Sequence, residues 1–111
     1  MNMTQLSPTL SVRPQVLPDE VAELAAAGFR GIINNRPDGE APDQPSSAEL
    51  EVAAKRHGLA YWHIPVVPGQ ASEGQARAFA AALREADGPV VAFCRTGNRS
   101  TGLWKMVEQA S

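Results

Sequence analysis

The chain has 111 residues, of which 43% are hydrophobic and 20% are charged, and its formal net charge is −2. This size and balance predict one globular domain over residues 1–111 and exclude intrinsic disorder. The small charge without a basic run argues against nucleic acid and anionic membranes as partners, and the lack of a long apolar stretch predicts a cytoplasmic protein.

The first half of the chain alternates short apolar strands with one helix. A strand is expected near residues 10–12, followed by a helix that begins at Pro18 and ends at Gly28. Residues 31–34 form a short apolar run that predicts a buried strand. Residues 35–45 contain three prolines, a glycine and several polar side chains, so we expect a loop that forms a lip of the functional site.

Two capping boxes mark the helices that follow. Ser46 with Glu49, and Ser72 with Gln75, each place a serine at a helix start and a long polar side chain three residues later. The two side chains of such a pair satisfy each other's unpaired backbone N–H groups. Between the two helices, residues 59–66 are expected to form a strand.

The last strand and helix enclose the only cysteine of the chain. Residues 89–93 are apolar and rich in valine, as expected for a central strand buried on both faces, and a final helix is predicted from about Arg99. This alternation predicts an α/β fold with a small, mostly parallel sheet flanked by helices. Because the carboxyl ends of parallel strands build the ligand crevice, Cys94 lies where functional sites form.

The strongest motif is a strand, a cysteine, a small-residue turn and a helix. Gly97 and Asn98 tolerate positive φ best, so the loop is expected to curl and aim its N–H groups at one point. This predicts an anion-binding loop in which Arg95, Thr96, Gly97 and Asn98 are the binding residues. The side chain of Arg95 could point either over the loop as a second anion contact or out to solvent, and the sequence does not decide between them. The loop sequence is Cys94-Arg95-Thr96-Gly97-Asn98-Arg99-Ser100.

The same loop is expected to hold Cys94 as a thiolate at its mouth. The amino terminus of the following helix and the Arg99 guanidinium should lower the pKa of the thiol, and Ser100 could donate a hydrogen bond to the sulfur. Cys94, Arg99 and Ser100 are therefore the predicted catalytic residues. One cysteine with two separated histidines fits no structural metal site, and neither a metal nor a cofactor is predicted.

Segments along nearly the whole chain resemble the phosphatase-like domain of the beta-lactamase-hydrolase-like proteins, a branch of the protein tyrosine phosphatase fold. The resemblance implies a small, mainly parallel sheet flanked by helices, as in dual-specificity phosphatases, and a cysteine nucleophile. The similar segments follow that family's order and are residues 11–15, 27–29, 33–40, 44–49, 63–66 and 94–100.

Two features depart from the tyrosine phosphatase pattern. Cys94 and Arg99 enclose four residues where phosphatases have five, and four is the spacing of single-domain rhodaneses, sulfurtransferases that carry a persulfide on the cysteine. Dual-specificity phosphatases keep a general acid just after a segment similar to residues 63–66, but no acid follows here. Asp38 or Glu40 could supply a proton from the preceding loop instead.

Arg36, Asp38 and His63 are candidates for substrate or acid roles. Arg36 and Asp38 follow a buried strand and could line the crevice, although a turn role explains both residues equally well. His63 near a strand end could face the crevice, with a hydrogen-bonded packing role as the alternative.

Three functions stay open at this point. Loop length and the missing acid favour sulfane-sulfur transfer through a Cys94 persulfide. The family resemblance favours a phosphatase that forms a phospho-cysteine. A non-catalytic anion-binding domain is the third reading, and the intact Cys94 and Arg99 argue against it. The expected partner is a small sulfur- or phosphate-containing substrate or a protein thiol.

Overall fold

The computed structural model describes residues 2–110. It contains the strands β1 (Thr4–Ser7), β2 (Leu10–Arg13), β3 (Gly31–Asn34), β4 (Ala60–His63) and β5 (Val90–Phe93), which form one sheet in the order β1-β2-β5-β3-β4. The four strands β2, β5, β3 and β4 are parallel, and β1 is antiparallel to β2 at one edge. The mostly parallel α/β fold is therefore confirmed.

Four α-helices within residues 2–110 flank the sheet, and both predicted capping boxes are present. The Ser46 hydroxyl accepts a hydrogen bond from the Glu49 N–H, and Ser72 accepts one from Gln75 in the same way. A 3-10 turn at Pro18–Glu20 leads into the first helix. The helices are α1 (Val21–Ala26), α2 (Ser47–Arg56), α3 (Glu73–Glu85) and α4 (Asn98–Ala110).

One strand was missed by the sequence prediction, and another is shorter than predicted. The edge strand β1 was missed because Thr4–Ser7 is only half-buried and lacks an apolar run, so pairing with β2 rather than local sequence makes it a strand. The predicted strand over residues 59–66 is regular only at Ala60–His63. Beyond it the Ile64 and Val66 N–H groups still bond to β3 and the residue after it, but Pro65 between them has no N–H to donate.

The core has one part on each face of the sheet. Ile33, Val90 and Ala92 face α3 and α4, whereas Ile32 and Val91 face α1 and α2. None of the helices within residues 2–110 is long and apolar enough to cross a membrane.

The carboxyl ends of the parallel strands meet in one row. Arg13 is paired with Phe93, Phe93 with Asn34, and Asn34 with His63. Cys94 follows Phe93 directly and so leaves the sheet at the middle of this edge.

Candidate active site

Cys94 lies at the end of the central strand and is fully buried, with 0% of its surface exposed. The predicted position at the open mouth of the loop was wrong in this respect. The sulfur lies on the floor of the site, beneath the loop that follows it. Burial alone would raise the pKa of a thiol, so the groups around the sulfur decide whether it ionises.

The backbone N–H groups of the loop point at this sulfur. Gly97 donates its N–H to Cys94 Sγ at 3.0 Å. Burial raises the pKa of the thiol, but hydrogen bonds from backbone N–H groups outweigh it, and the net result is a pKa below the ordinary value. The donors that lower the pKa belong to Ser100, Thr96, Arg99 and Gly97. The loop therefore favours the thiolate, as the sequence predicted.

Gly97 makes the curl of the loop possible. Its φ is +98°, and a Cβ built there would lie 3.5 Å from the backbone of Arg13 in the neighbouring strand β2. The positive φ predicted for Asn98 is wrong, because among residues 2–110 only glycines have positive φ. Asn98 instead begins α4, and its N–H donates to Thr96 Oγ1 at 3.3 Å.

Arg99 leaves part of its guanidinium free for the site. Its Nη1 donates to Glu40 Oε2 at 2.7 Å and to the Val66 carbonyl at 2.8 Å, and its Nη2 donates to Glu40 Oε1 at 3.0 Å. A guanidinium carries five N–H groups, so Glu40 and Val66 leave one on Nε and one on Nη2, and a side-chain hydrogen bond to Cys94 is among the causes that raise the pKa of Arg99. The hydrogen bond to Glu40 is the main cause that raises the pKa of Arg99, and the neighbouring Cys94 raises it further.

Glu40 joins Arg99 to a second arginine. Its Oε1 also accepts from Arg36 Nε at 2.9 Å, and Arg36 Nη1 donates to Gln15 Oε1 at 2.9 Å. Hydrogen bonds from Arg99 are the largest cause that lowers the pKa of Glu40 to about 2, with Arg36 acting in the same direction. Sequence reasoning considered Glu40 only as a proton donor and missed both this bridge and Gln15. Arg36 and Glu40 lie in a loop, where a spacing of four residues does not indicate a side-chain pair, so the local sequence carries no signal for this bridge.

Ser100 acts on the sulfur through its backbone N–H and not through its hydroxyl. The hydroxyl donates to Asn35 Oδ1 at 2.8 Å, and both side chains are fully buried. Asn35 Nδ2 donates in turn to the Ile64 carbonyl at 2.9 Å. Ser100 therefore ties the start of α4 to the end of β3, and its backbone N–H is the group that acts on Cys94.

This arrangement predicts that Ser100→Ala costs stability and leaves the thiol unchanged. The substitution keeps the backbone N–H but removes the donor to the buried Asn35 Oδ1, which should cost about 1–3 kcal/mol in the free energy of unfolding. Urea unfolding measures the loss, and the pH dependence of Cys94 alkylation measures the pKa. An unchanged stability with a clearly raised pKa would show that the hydroxyl acts on the sulfur after all.

The other acid candidates are held by backbone groups. Asp38 Oδ1 accepts the Ser47 N–H at the start of α2 at 2.8 Å. His63 is exposed, and its Nε2 lies 3.0 Å from the carbonyl oxygen of Arg36, which can only accept, so Nε2 is the donor. Asp38 therefore contacts the amino terminus of α2 nine residues further on, which is neither the local turn role nor the crevice role that the sequence left open.

An open cleft of about 620 Å³ lies beside the cysteine loop. One wall comes from the segment between β4 and α3, and the other from the loop and the first turns of α4. Within residues 2–110, no group of three His, Cys, Asp or Glu side chains could hold a metal ion. The lining residues are Val66, Pro68, Gly69, Ala71, Arg95, Thr96, Asn98, Arg99 and Gly102.

Comparisons of the sequence with known proteins identify a family and its relatives. The family described as beta-lactamase hydrolase-like protein, phosphatase-like domain, matches residues 2–111. A beta-lactamase hydrolase-like protein of Xylella fastidiosa (strain Temecula1) is 36% identical over 97% of this chain, which spans 25% of that relative's length.

Solved phosphatase structures share the fold. A candidate phosphatase of Neisseria meningitidis has a TM-score of 0.83 and 32% identity, with 90% of this chain and 71% of that chain covered. The P. aeruginosa protein TpbA, solved in complex with pTyr, has a TM-score of 0.62 and 24% identity, with 99% of this chain and 65% of that chain covered. At that identity TpbA shows the fold alone. The tyrosine phosphatase-like architecture is thus confirmed.

Proposed function

The chain belongs to the family of phosphatase-like domains of beta-lactamase hydrolase-like proteins, and we propose that it transfers sulfane sulfur through a persulfide on Cys94. One observation carries the proposal. The carboxylate that contacts Arg99 is Glu40, whose two arginine partners hold its pKa at about 2. At neutral pH Glu40 is ionised and has no proton to give, so the general acid that ester hydrolysis needs is missing from this contact.

Sulfur transfer needs no such proton. The Cys94 thiolate attacks the outer sulfur of thiosulfate, a bond forms between Sγ and that sulfur, and the old S–S bond breaks with its electron pair leaving on sulfite. An acceptor such as cyanide then attacks the terminal sulfur of the persulfide, takes it as thiocyanate and returns the thiolate. No oxidant or reductant is consumed in either step.

The short length of the loop between Cys94 and Arg99 suits the transfer of a single sulfur atom. Four residues between Cys94 and Arg99 bring the N–H groups of Thr96, Gly97 and Ser100 around one sulfur atom. Hydrogen bonds from these groups stabilise the thiolate and should stabilise the terminal sulfur of a persulfide similarly. The two free N–H groups of Arg99 can bind the anionic part of the donor.

A second candidate is phosphate ester hydrolysis. It is favoured by the solved phosphatases, among them TpbA with bound pTyr. Esters with good leaving groups, such as activated aryl phosphates, depend least on a general acid. This activity would use the same Cys94 and Arg99, so only its products and its pH dependence separate it from sulfur transfer.

Mass spectrometry and a pH profile test the proposal together. After incubation with thiosulfate, we expect one added sulfur on Cys94, which cyanide removes. The value of kcat/KM for thiosulfate should rise with pH as the Cys94 thiol ionises and should then stay level. Because the pKa of Cys94 is lowered, this rise should occur at a lower pH than for an ordinary thiol. Aryl phosphate hydrolysis measured on the same sample should be slow and insensitive to Asp38→Asn.

The opposite pattern would establish the phosphatase instead. It consists of fast, vanadate-sensitive hydrolysis of aryl phosphate, a bell-shaped pH profile that depends on Asp38, and no persulfide on Cys94. Absence of both activities would leave anion binding as the function of the loop.

A further inference from the structure

Arg95 is a cation in the cleft that no protein group neutralises. Its side chain is exposed, lines the cleft next to Cys94, and makes no hydrogen bond or ion pair with any residue of the described range 2–110. The other guanidinium of the cleft belongs to Arg99, which is held by Glu40 and the Val66 carbonyl. Of these two cations, Arg95 is thus the one open to a ligand.

The charged groups around the Cys94 sulfur sum to zero when Arg95 is left out of the count. The thiolate of Cys94 and the carboxylate of Glu40 carry one negative charge each, and Arg99 and Arg36 carry one positive charge each. The unbalanced charge at the cleft wall is therefore the positive charge of Arg95. A substrate with an acidic group in this cleft gains from it, whereas a neutral substrate does not.

The opposite wall of the cleft is apolar. Val66, Pro68 and Ala71 form it together with Gly69. A short aliphatic chain can lie along these side chains while its acidic end points to Arg95. Within the described residues, the cleft thus combines apolar lining side chains with one unpaired cation, and the loop that borders it covers the Cys94 sulfur.

We propose that Arg95 selects donors that carry a carboxylate a few bonds from the reacting sulfur, namely acidic aliphatic persulfides of low molecular weight. This inference rests on the proposed sulfur transfer. In the reaction the Cys94 thiolate attacks the terminal sulfur of the donor R–S–S–H, the new S–S bond forms, and the old one breaks with its electron pair leaving on the thiolate R–S⁻. The proton stays on the transferred sulfur, and R carries the carboxylate that Arg95 binds.

The first arm of the test measures sulfur transfer. Two persulfides that differ only at the far end, those of mercaptopropionate and mercaptopropionamide, are compared as donors to the full chain. We expect Arg95→Gln to lower the ratio of kcat/KM for the acidic over the neutral donor about fivefold, and added salt to lower it in the native chain. Arg95→Lys should keep most of the ratio. The control Arg84→Gln, an exposed arginine in the last turn of α3, should not change it.

The second arm needs no sulfur transfer. Iodoacetate and iodoacetamide have nearly the same size and alkylate the same thiolate, so their rate ratio at Cys94 reports the charge of the cleft. Arg95→Gln should lower this ratio by a similar factor, and Arg84→Gln should not. A ratio that Arg95→Gln leaves unchanged in both arms overturns the inference, as does an equal change in Arg84→Gln.

The two arms separate the two proposals. If sulfur moves equally well from both donors, and Arg95→Gln changes nothing, sulfur transfer stands and the role of Arg95 is wrong. If no donor loads Cys94 but the alkylation ratio falls in Arg95→Gln, the proposed function fails while the acid-selective cleft stands.

Discussion

Cys94→Ser should abolish sulfur transfer and leave the fold intact. The nucleophile and the atom that carries the persulfide are both removed, and loss of a nucleophile lowers turnover by at least about a thousandfold in enzymes of this kind. Serine is similar in size to cysteine, and its hydroxyl oxygen can accept the Gly97 N–H that now donates to the sulfur at 3.0 Å. The measurements are persulfide loading by mass spectrometry and thiocyanate formation from thiosulfate and cyanide.

Thermal unfolding of Cys94→Ser provides the control. A cooperative transition close to that of the native chain shows that any loss of activity comes from chemistry. Sulfur transfer that persists in the folded variant would contradict the central role of Cys94, because cysteine occurs once in the sequence.

Arg99→Ala should lower kcat/KM for thiosulfate by about 10²–10³-fold, the loss typical of one donor to a reacting anion. It removes the two N–H groups that Glu40 and Val66 leave free, and it removes the cation beside Cys94. Since a nearby positive charge favours a thiolate, the pKa of the Cys94 thiol should rise. The backbone donors remain, so the thiol should still alkylate at alkaline pH.

Arg99→Lys is the matched variant for this prediction. Lysine keeps the charge but lacks the planar fork that binds Glu40 through two nitrogens. We expect it to retain the lowered pKa of Cys94 better than Arg99→Ala and to recover only part of the activity. An alkylation profile and a kcat/KM that are unchanged in Arg99→Ala would refute the role of Arg99 in both binding and thiol activation.

Local patterns in the sequence determined most of the fold. A capping box such as Ser46 with Glu49 is complete within one helical turn, so it can be recognised without the rest of the chain. The buried strand Val90–Phe93 can be recognised from its own apolar run. Gly97 can be recognised as a turn residue because a tight turn needs positive φ, which glycine adopts most easily. These features place a reactive cysteine in a loop of backbone N–H groups, whatever surrounds it.

Only the tertiary structure decided which partners the polar side chains take. Glu40 and Arg99 are 59 residues apart, and Ser100 and Asn35 are 65 apart, and each pair forms because parallel strands bring their carboxyl ends to one edge. The sequence contains several carboxylates and carbonyls that could accept a hydrogen bond from Arg99, and local sequence preferences do not indicate which of them does. The tertiary structure also decided that Cys94 is buried and that the side chain of Arg95 is exposed. Exposure depends on which parts of the chain the other elements cover.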